Sequence, residues 1–202
     1  MAPFSKTDPL NARKLIDVNK AIFLDRDGTI NEDKGYVSSW NEWEWIPKTF
    51  EALEVFKELG FLTIIITNQS GIARKYYSEE AMQGLHRKVQ EELQKKELPF
   101  TDIYFSPHHP DFSQVPAEEI QRKPDPGMIL DAAKKWDIDL NKSYMVGDKR
   151  TDIEAALNAG VEPVLVLTGK GLETKNMLSS EKNSKVATFD KLWDFAHSLK
   201  RF

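Results

Sequence analysis

Ala21-Ile22-Phe23-Leu24 runs directly into Asp25-Arg26-Asp27-Gly28-Thr29. Four apolar residues in a row, without polar alternation, read as a strand buried on both faces. Such a strand belongs to a parallel sheet with helices packed on each side. The two carboxylates follow at its carboxyl end, where open parallel sheets bind their ligands. With one residue between them, they fall on the same side of an extended chain. Like charges held close repel, and a divalent cation is the usual reason to keep such a pair. Asp and Gly are also favoured in plain surface turns, so the pair alone leaves that alternative open.

Outward from this run the same rhythm continues. Phe61-Leu62-Thr63-Ile64-Ile65-Ile66 reads as a second buried strand, and Ile103–Phe105, Tyr144–Val146 and Val164–Leu167 as three more. Between them lie helix-periodic stretches. Lys48 to Leu59 carries apolar residues at Phe50, Leu53, Phe56 and Leu59, and Gly60 stops it. Ser78 caps a helix that runs to about Lys96, with Glu79 and Glu80 in its first turn. Pro126–Trp136 and Thr151–Asn158 are further helices, the latter ended by Gly160. Strands alternating with helices make an α/β fold with a parallel sheet. Residues 1–19 lack a period and read as an N-terminal extension, leaving 20–202 as one domain. Leu172–Lys185 is polar and loop-like, and Phe189–Leu199 reads as a closing helix.

Three more strand ends carry polar residues. Asp148 follows the strand Tyr144–Val146, with Asp152 one turn into the next helix. Helix capping alone explains an acid there. Two acidic ends on neighbouring strands, however, converge on one cation. Thr67-Asn68-Gln69-Ser70-Gly71 offers a hydroxyl, amides and backbone N–H groups suited to phosphate oxygens. Arg122-Lys123-Pro124 precedes a helix and offers cationic groups. Taken singly, each is an ordinary polar loop; their order along the chain is what carries weight.

Composition narrows the class. A length of 202 residues suits one domain that buries a core unaided, and 40% hydrophobic with 30% charged residues is globular. The net charge of -4 counts against a nucleic-acid partner. There are no cysteines, which excludes disulfides and thiolate metal ligands. No run approaches the roughly 18 apolar residues of a membrane span, and the N-terminus has no apolar leader core. A cytoplasmic protein without a membrane partner is expected.

The ordered set Asp25-x-Asp27, Thr67, Lys123 and Asp148 with Asp152 resembles the four motifs of the haloacid dehalogenase superfamily of phosphatases. The phrases FLDRDGTIN, DKGYV, TNQSGIAR, PHHP, RKPDPGM and MVGDK, between Ala21 and Gly171, resemble its D-glycero-D-manno-heptose 1,7-bisphosphate phosphatase family. The resemblance implies a three-layer, Rossmann-like parallel sheet with a short flap and no large cap. It also implies Mg2+-dependent hydrolysis of a sugar bisphosphate at C7, by a monomer, in nucleotide-activated heptose synthesis for lipopolysaccharide and other surface polysaccharides.

By that resemblance Asp25 is the nucleophile that becomes an aspartyl-phosphate, and Asp27 is the acid that then serves as base. Magnesium is held by the Asp25 side chain, the Asp27 carbonyl and Asp148, with Asp152 supporting from outside. Thr67 and Lys123 hold the transferring phosphoryl group. Asn68, Gln69, Ser70 and Lys149 lie at the substrate, and Arg122 reads its second phosphate. Asn31 to Trp45 is the flap, with Asp33-Lys34-Gly35-Tyr36 at its sugar-facing edge. Trp40, Trp43 and Trp45 read as pins holding the flap to the core, ahead of a binding platform.

The chain departs from the family at one loop. Many relatives carry a zinc site of three cysteines and a histidine before the Arg-Lys pair. Here Ser106 replaces the first cysteine, His108 remains, and Glu119-Ile120-Gln121 replaces the others. Serine and glutamine are poor zinc ligands, so no structural zinc is expected. Asp111, Glu118 and Glu119 with His108 and His109 read as loop residues ahead of a substitute site, and Phe112 and Pro116 as its packing. Histidinol-phosphate and polynucleotide 3'-phosphatases are the alternative activities. A non-catalytic phosphosugar-binding protein is the alternative of another class, and it would not need an acid/base beside a nucleophile.

Overall fold

The computed structural model describes residues 18–98, 101–116, 119–180 and 186–200. In chain order the elements are β1 (Lys20–Leu24), α1 (Thr49–Glu58), β2 (Phe61–Asn68), α2 (Glu79–Lys95), β3 (Asp102–Ser106) and α3 (Gly127–Trp136). There follow β4 (Tyr144–Gly147), α4 (Arg150–Ala159), β5 (Glu162–Val166), α5 (Gly171–Ser180), β6 (Ala187–Phe189) and α6 (Leu192–Leu199). All neighbouring strands pair in parallel, in the order β3-β2-β1-β4-β5-β6.

Side-chain alternation along the strands builds two cores. Ile22, Leu24, Ile65 and Val146 face one side and pack with α1, α2 and α6. Ala21, Phe23, Ile64, Ile66 and Met145 face the other and pack with α3 and α4. The three-layer arrangement expected from the sequence is therefore present, and it explains why the strands are apolar throughout. Strand order reverses between β1 and β4, which opens a crevice at their carboxyl ends.

Local signals set several boundaries. Ser78 caps α2, its Oγ accepting from Ala81 N at 3.2 Å. Gly60 follows α1 with a φ of 74°, which a glycine adopts without strain. The polar segment read as a loop from Leu172 to Lys185 is instead α5 as far as Ser180, with residues 181–185 outside the described set. Among its described side chains that helix buries only Gly171, Thr174 and Leu178, so its apolar stripe is faint in sequence. The closing helix begins at Leu192, and Phe189 ends β6. Residues 1–17 of the extension also lie outside the described residues.

The flap has no regular strand and is tied down at its base. Glu32 N donates to Glu44 O at 2.8 Å, and Ile46 N donates to Ile30 O at 3.1 Å. Trp43 is buried, stacked with Trp40 at 6.3 Å and edge-on to Trp45 at 5.0 Å. Trp45 in turn packs on Phe50 of α1 at 4.8 Å. The tryptophans pin the flap to the core.

Candidate active site

A cavity of about 750 Å³ opens at the carboxyl ends of β1, β2 and β4. Asp25, Asp27, Thr67, Asn68, Gln69 and Ser70 border it. So do Asp33, Gly35, Tyr36, Arg122, Lys123 and Lys149. Of the sequence candidates, Lys34 and Asp148 do not: Asp148 is fully buried, and the Lys34 ammonium pairs on the surface with Glu44 at 2.8 Å.

Asp25 leaves β1 almost fully buried, with its backbone N–H donating to Val146 O on β4 at 2.9 Å. Lys123 Nζ lies 2.7 Å from Asp25 Oδ1 and 2.7 Å from Asp152 Oδ1, and it donates to Ile66 O at 2.6 Å. Burial pushes the Asp25 carboxyl up, but the ammoniums of Lys123 and Lys149 outweigh it and leave the group at about 2. An ionised carboxylate is the form a nucleophile needs. Lys123 is raised in turn, because Asp152 and Asp25 outweigh its own burial.

Asn68 brackets the lysine's backbone. Its Nδ2 donates to Lys123 O at 3.0 Å and its Oδ1 accepts from Lys123 N at 3.0 Å. This reciprocal pair carries the loop before α3 onto the end of β2. Thr67, also buried, accepts from Gln69 Nε2 at 2.9 Å.

Asp27 is gripped from several sides. Arg26 donates to both carboxylate oxygens, Nε to Oδ2 at 2.9 Å and Nη2 to Oδ1 at 3.0 Å. Asn31 Nδ2 donates to Oδ1 at 2.9 Å and Gln69 Nε2 to Oδ2 at 3.1 Å. Arg26 itself is wholly buried and also donates to Val37 O in the flap at 2.6 Å.

The metal expectation meets a specific arrangement. Asp25, Asp148 and Asp152 each offer a carboxylate oxygen, all within 4.8 Å of one another. The Asp27 carboxylate is not in this group, but its carbonyl oxygen faces the same place. Lys149 Nζ donates to Asp27 O at 2.9 Å and lies 3.5 Å from Asp25 Oδ2. It is also 3.4 Å from Asp148 Oδ1 and 3.4 Å from Asp33 Oδ2. An ammonium thus stands among the oxygens expected to hold Mg2+. Asp148 Oδ1 is buried and makes no hydrogen bond. Burial, with Asp25 and Asp152 nearby, pushes the Asp148 carboxyl up to about 7 although Lys149 opposes this. A hard divalent cation fits this oxygen set. Asp152 also caps α4, accepting from Lys149 N at 2.9 Å, so the capping alternative describes one of its contacts.

Several site residues carried no signal in the sequence reading. Tyr77 borders the cavity and donates to Gln69 Oε1 at 2.8 Å. The turn after β5 buttresses Asp148: Lys170 N donates to Asp148 Oδ2 at 2.7 Å, and Thr168 Oγ1 to Gly28 O at 2.6 Å. Thr168-Gly169-Lys170 stands at a strand end like the other motifs, and that position was the available clue. In the loop after β3, His108 Nδ1 lies 3.3 Å from Ser113 Oγ, and Ser106 is buried at the end of the strand. Glu118 lies outside the described residues.

Comparison with known proteins agrees with this geometry. Residues 120–195 match a family model described as HAD-hydrolase-like. D-glycero-beta-D-manno-heptose-1,7-bisphosphate 7-phosphatase of Yersinia pestis is 46% identical over 153 residues, covering 74% of this chain and 81% of that protein. Its Helicobacter pylori counterpart is 44% identical over 173 residues, covering 85% and 96%. The D,D-heptose 1,7-bisphosphate phosphatase of B. bronchiseptica, solved with magnesium and phosphate, superposes with a TM-score of 0.79 at 33% identity, over 90% of this chain and 98% of that one. The chain belongs to the haloacid dehalogenase-like phosphatases, in the family of the heptose 1,7-bisphosphate phosphatases.

Proposed function

We propose that this protein hydrolyses the C7 phosphate of D-glycero-D-manno-heptose 1,7-bisphosphate through an aspartyl-phosphate on Asp25. The observation that carries the reading is the buried Asp25 carboxylate, held ionised between Lys123 at 2.7 Å and Lys149 at 3.5 Å and facing the cavity. In the first step an Asp25 oxygen forms a bond to phosphorus as the bond from phosphorus to the sugar oxygen breaks. Asp27 gives its proton to that oxygen. In the second step Asp27 takes a proton from water, whose oxygen bonds to phosphorus and releases Asp25. Lys123 and Thr67 hold the phosphoryl oxygens through a loose transition state.

Magnesium, when bound by Asp25, Asp148 and the Asp27 carbonyl, supplies charge that offsets the repulsion between carboxylate and phosphate. Asp152 fixes Lys123 and the start of α4 around it. Gln69, Ser70, Asp33, Gly35, Tyr36 and Lys149 contact the sugar phosphate, while Asn68 acts through Lys123. Arg122 reads the anomeric phosphate, which remains for nucleotide activation in surface-polysaccharide synthesis. The proposal takes residues 20–202 as a single, monomeric catalytic domain acting in the cytoplasm. The cysteine-free composition favours that compartment. Among the described residues no helix is long and apolar enough to cross a membrane.

Inorganic phosphate release with Mg2+ tests this reading. Heptose 1,7-bisphosphate, histidinol phosphate and a 3'-phosphorylated oligonucleotide are compared at equal concentration. Preferred turnover of the heptose, lost in Asp25→Asn, is expected; equal turnover of all three overturns the assignment.

A further inference from the structure

Arg74 lies between β2 and α2 and takes no part in the chemistry at Asp25. Its backbone N–H donates to Ser70 O at 3.1 Å, which joins it to the turn that faces phosphate. Its side chain reaches the loop after β3. Nη2 lies 2.8 Å from His109 Nε2, and the guanidinium lies over the Phe112 ring, 4.3 Å from its centroid. Phe112 meets the His109 ring edge-on at 5.0 Å. A guanidinium can only donate, so a lone pair of His109 Nε2 faces Arg74; on the other side of the ring Nδ1 lies 3.1 Å from Asp111 N and 3.7 Å from Asp111 Oδ2. Ser113 closes the turn, with Oγ accepting from His109 N at 2.9 Å and N donating to His109 O at 3.0 Å. The adjacent carbonyl, that of His108, accepts from Arg122 Nη1 at 3.1 Å.

Charge points the same way as this chain of contacts. Among the described residues neither Arg74 nor Arg122 pairs with a carboxylate. Arg74 Nε is buried without a hydrogen-bond partner. Burial, and next the charge of Arg74, push the Arg122 guanidinium below its ordinary range. Two cations held close without an acid suit an anion, and planar guanidiniums suit a phosphate.

We propose that Arg74 is a specificity-determining positioning residue for the second phosphate of the substrate. Through His109 and Phe112 it fixes the turn that orients Arg122, and it places a second positive charge beside that guanidinium. The inference rests on the bisphosphate reading above. Because Phe112 is 48% exposed, its replacement leaves the core intact.

Steady-state kinetics of the full chain on heptose 1,7-bisphosphate and heptose 7-phosphate test it. Arg74→Met and Phe112→Ala should each raise KM for the bisphosphate about tenfold relative to the monophosphate, with kcat moving less, while Phe112→Tyr keeps the preference. If both variants lose activity equally on the two substrates, or keep the wild-type preference, the inference is overturned. Arg122→Met separates the two readings. Retained preference in that variant overturns the bisphosphate reading along with this one. Preference lost there but kept in Arg74→Met and Phe112→Ala overturns this one alone.

Discussion

The ammonium of Lys123 lies 2.7 Å from the Asp25 carboxylate, and both groups are almost fully buried. The same ammonium meets Asp152 at 2.7 Å, so one cation compensates two carboxylates. Removing it strands both acids away from water, which is the costly way to break a buried pair. Lys123→Met should lower unfolding free energy by about 3–5 kcal/mol, read from urea denaturation. A loss below about 1 kcal/mol would show that the pair is solvated and behaves like a surface contact.

Tyr77 and Asp27 are connected through one amide. The Tyr77 hydroxyl donates to Gln69 Oε1, which turns Gln69 Nε2 towards Asp27 Oδ2 and Thr67 Oγ1. Tyr77→Phe loses one hydrogen bond and frees the amide, worth about 1 kcal/mol or about fivefold in kcat. Rates under saturating substrate should fall by that factor with KM nearly constant. An unchanged kcat would mean that Gln69 holds its orientation without the tyrosine.

His86, 3.3 Å from Arg26 Nη1, supplies a prediction on the pH dependence of stability. Burial, and then the adjacent Arg26 charge, push its imidazole down from 6.5 to about 3. The native state keeps it neutral while the unfolded chain takes up a proton, so stability is complete above pH 6.5 and is lost as pH falls towards 3. The loss at pH 5.5 is about 1.4 kcal/mol. His86→Gln should flatten Tm between pH 8 and pH 5.5. A variant that melts with the wild-type pH dependence would place the acid sensitivity elsewhere.

Gly28 has a φ of 93°, and a Cβ there would overlap the Asp148 carboxylate. The glycine lets the β1 turn approach the expected metal ligand. Gly28→Ala should displace that carboxylate, reducing kcat by about a hundredfold and abolishing the rise in Tm on adding Mg2+. A wild-type Mg2+-induced rise would show that Asp148 can move without losing the ion.

Much of this arrangement was legible because buried parallel strands are unbroken apolar runs whose ends are marked by polar residues. Asp25, Thr67 and Asp148 each follow such a run, and the structure brings them to one cavity or its floor. What escaped lacks that signature. Helix α5 exposes Leu172 and Met177 and buries little, so its periodicity is weak. Strand β6 is three residues at a sheet edge. Arg26 looks like a solvated residue between two acids, yet it is wholly buried, because its five N–H groups find acceptors that only the folded chain assembles. Lys34 sits in the right phrase but turns away to pair with Glu44 on the surface.

The central claim is covalent phosphoryl transfer to Asp25, and acid quenching during turnover tests it most directly. Protein mixed with Mg2+ and heptose 1,7-bisphosphate, stopped in acid and digested, should carry one acid-stable, hydroxylamine-sensitive phosphoryl group on the peptide containing Asp25. It should be absent from Asp25→Asn. Phosphate release by the wild type with no labelled peptide under any quench time, or release sustained by Asp25→Asn, would contradict the account.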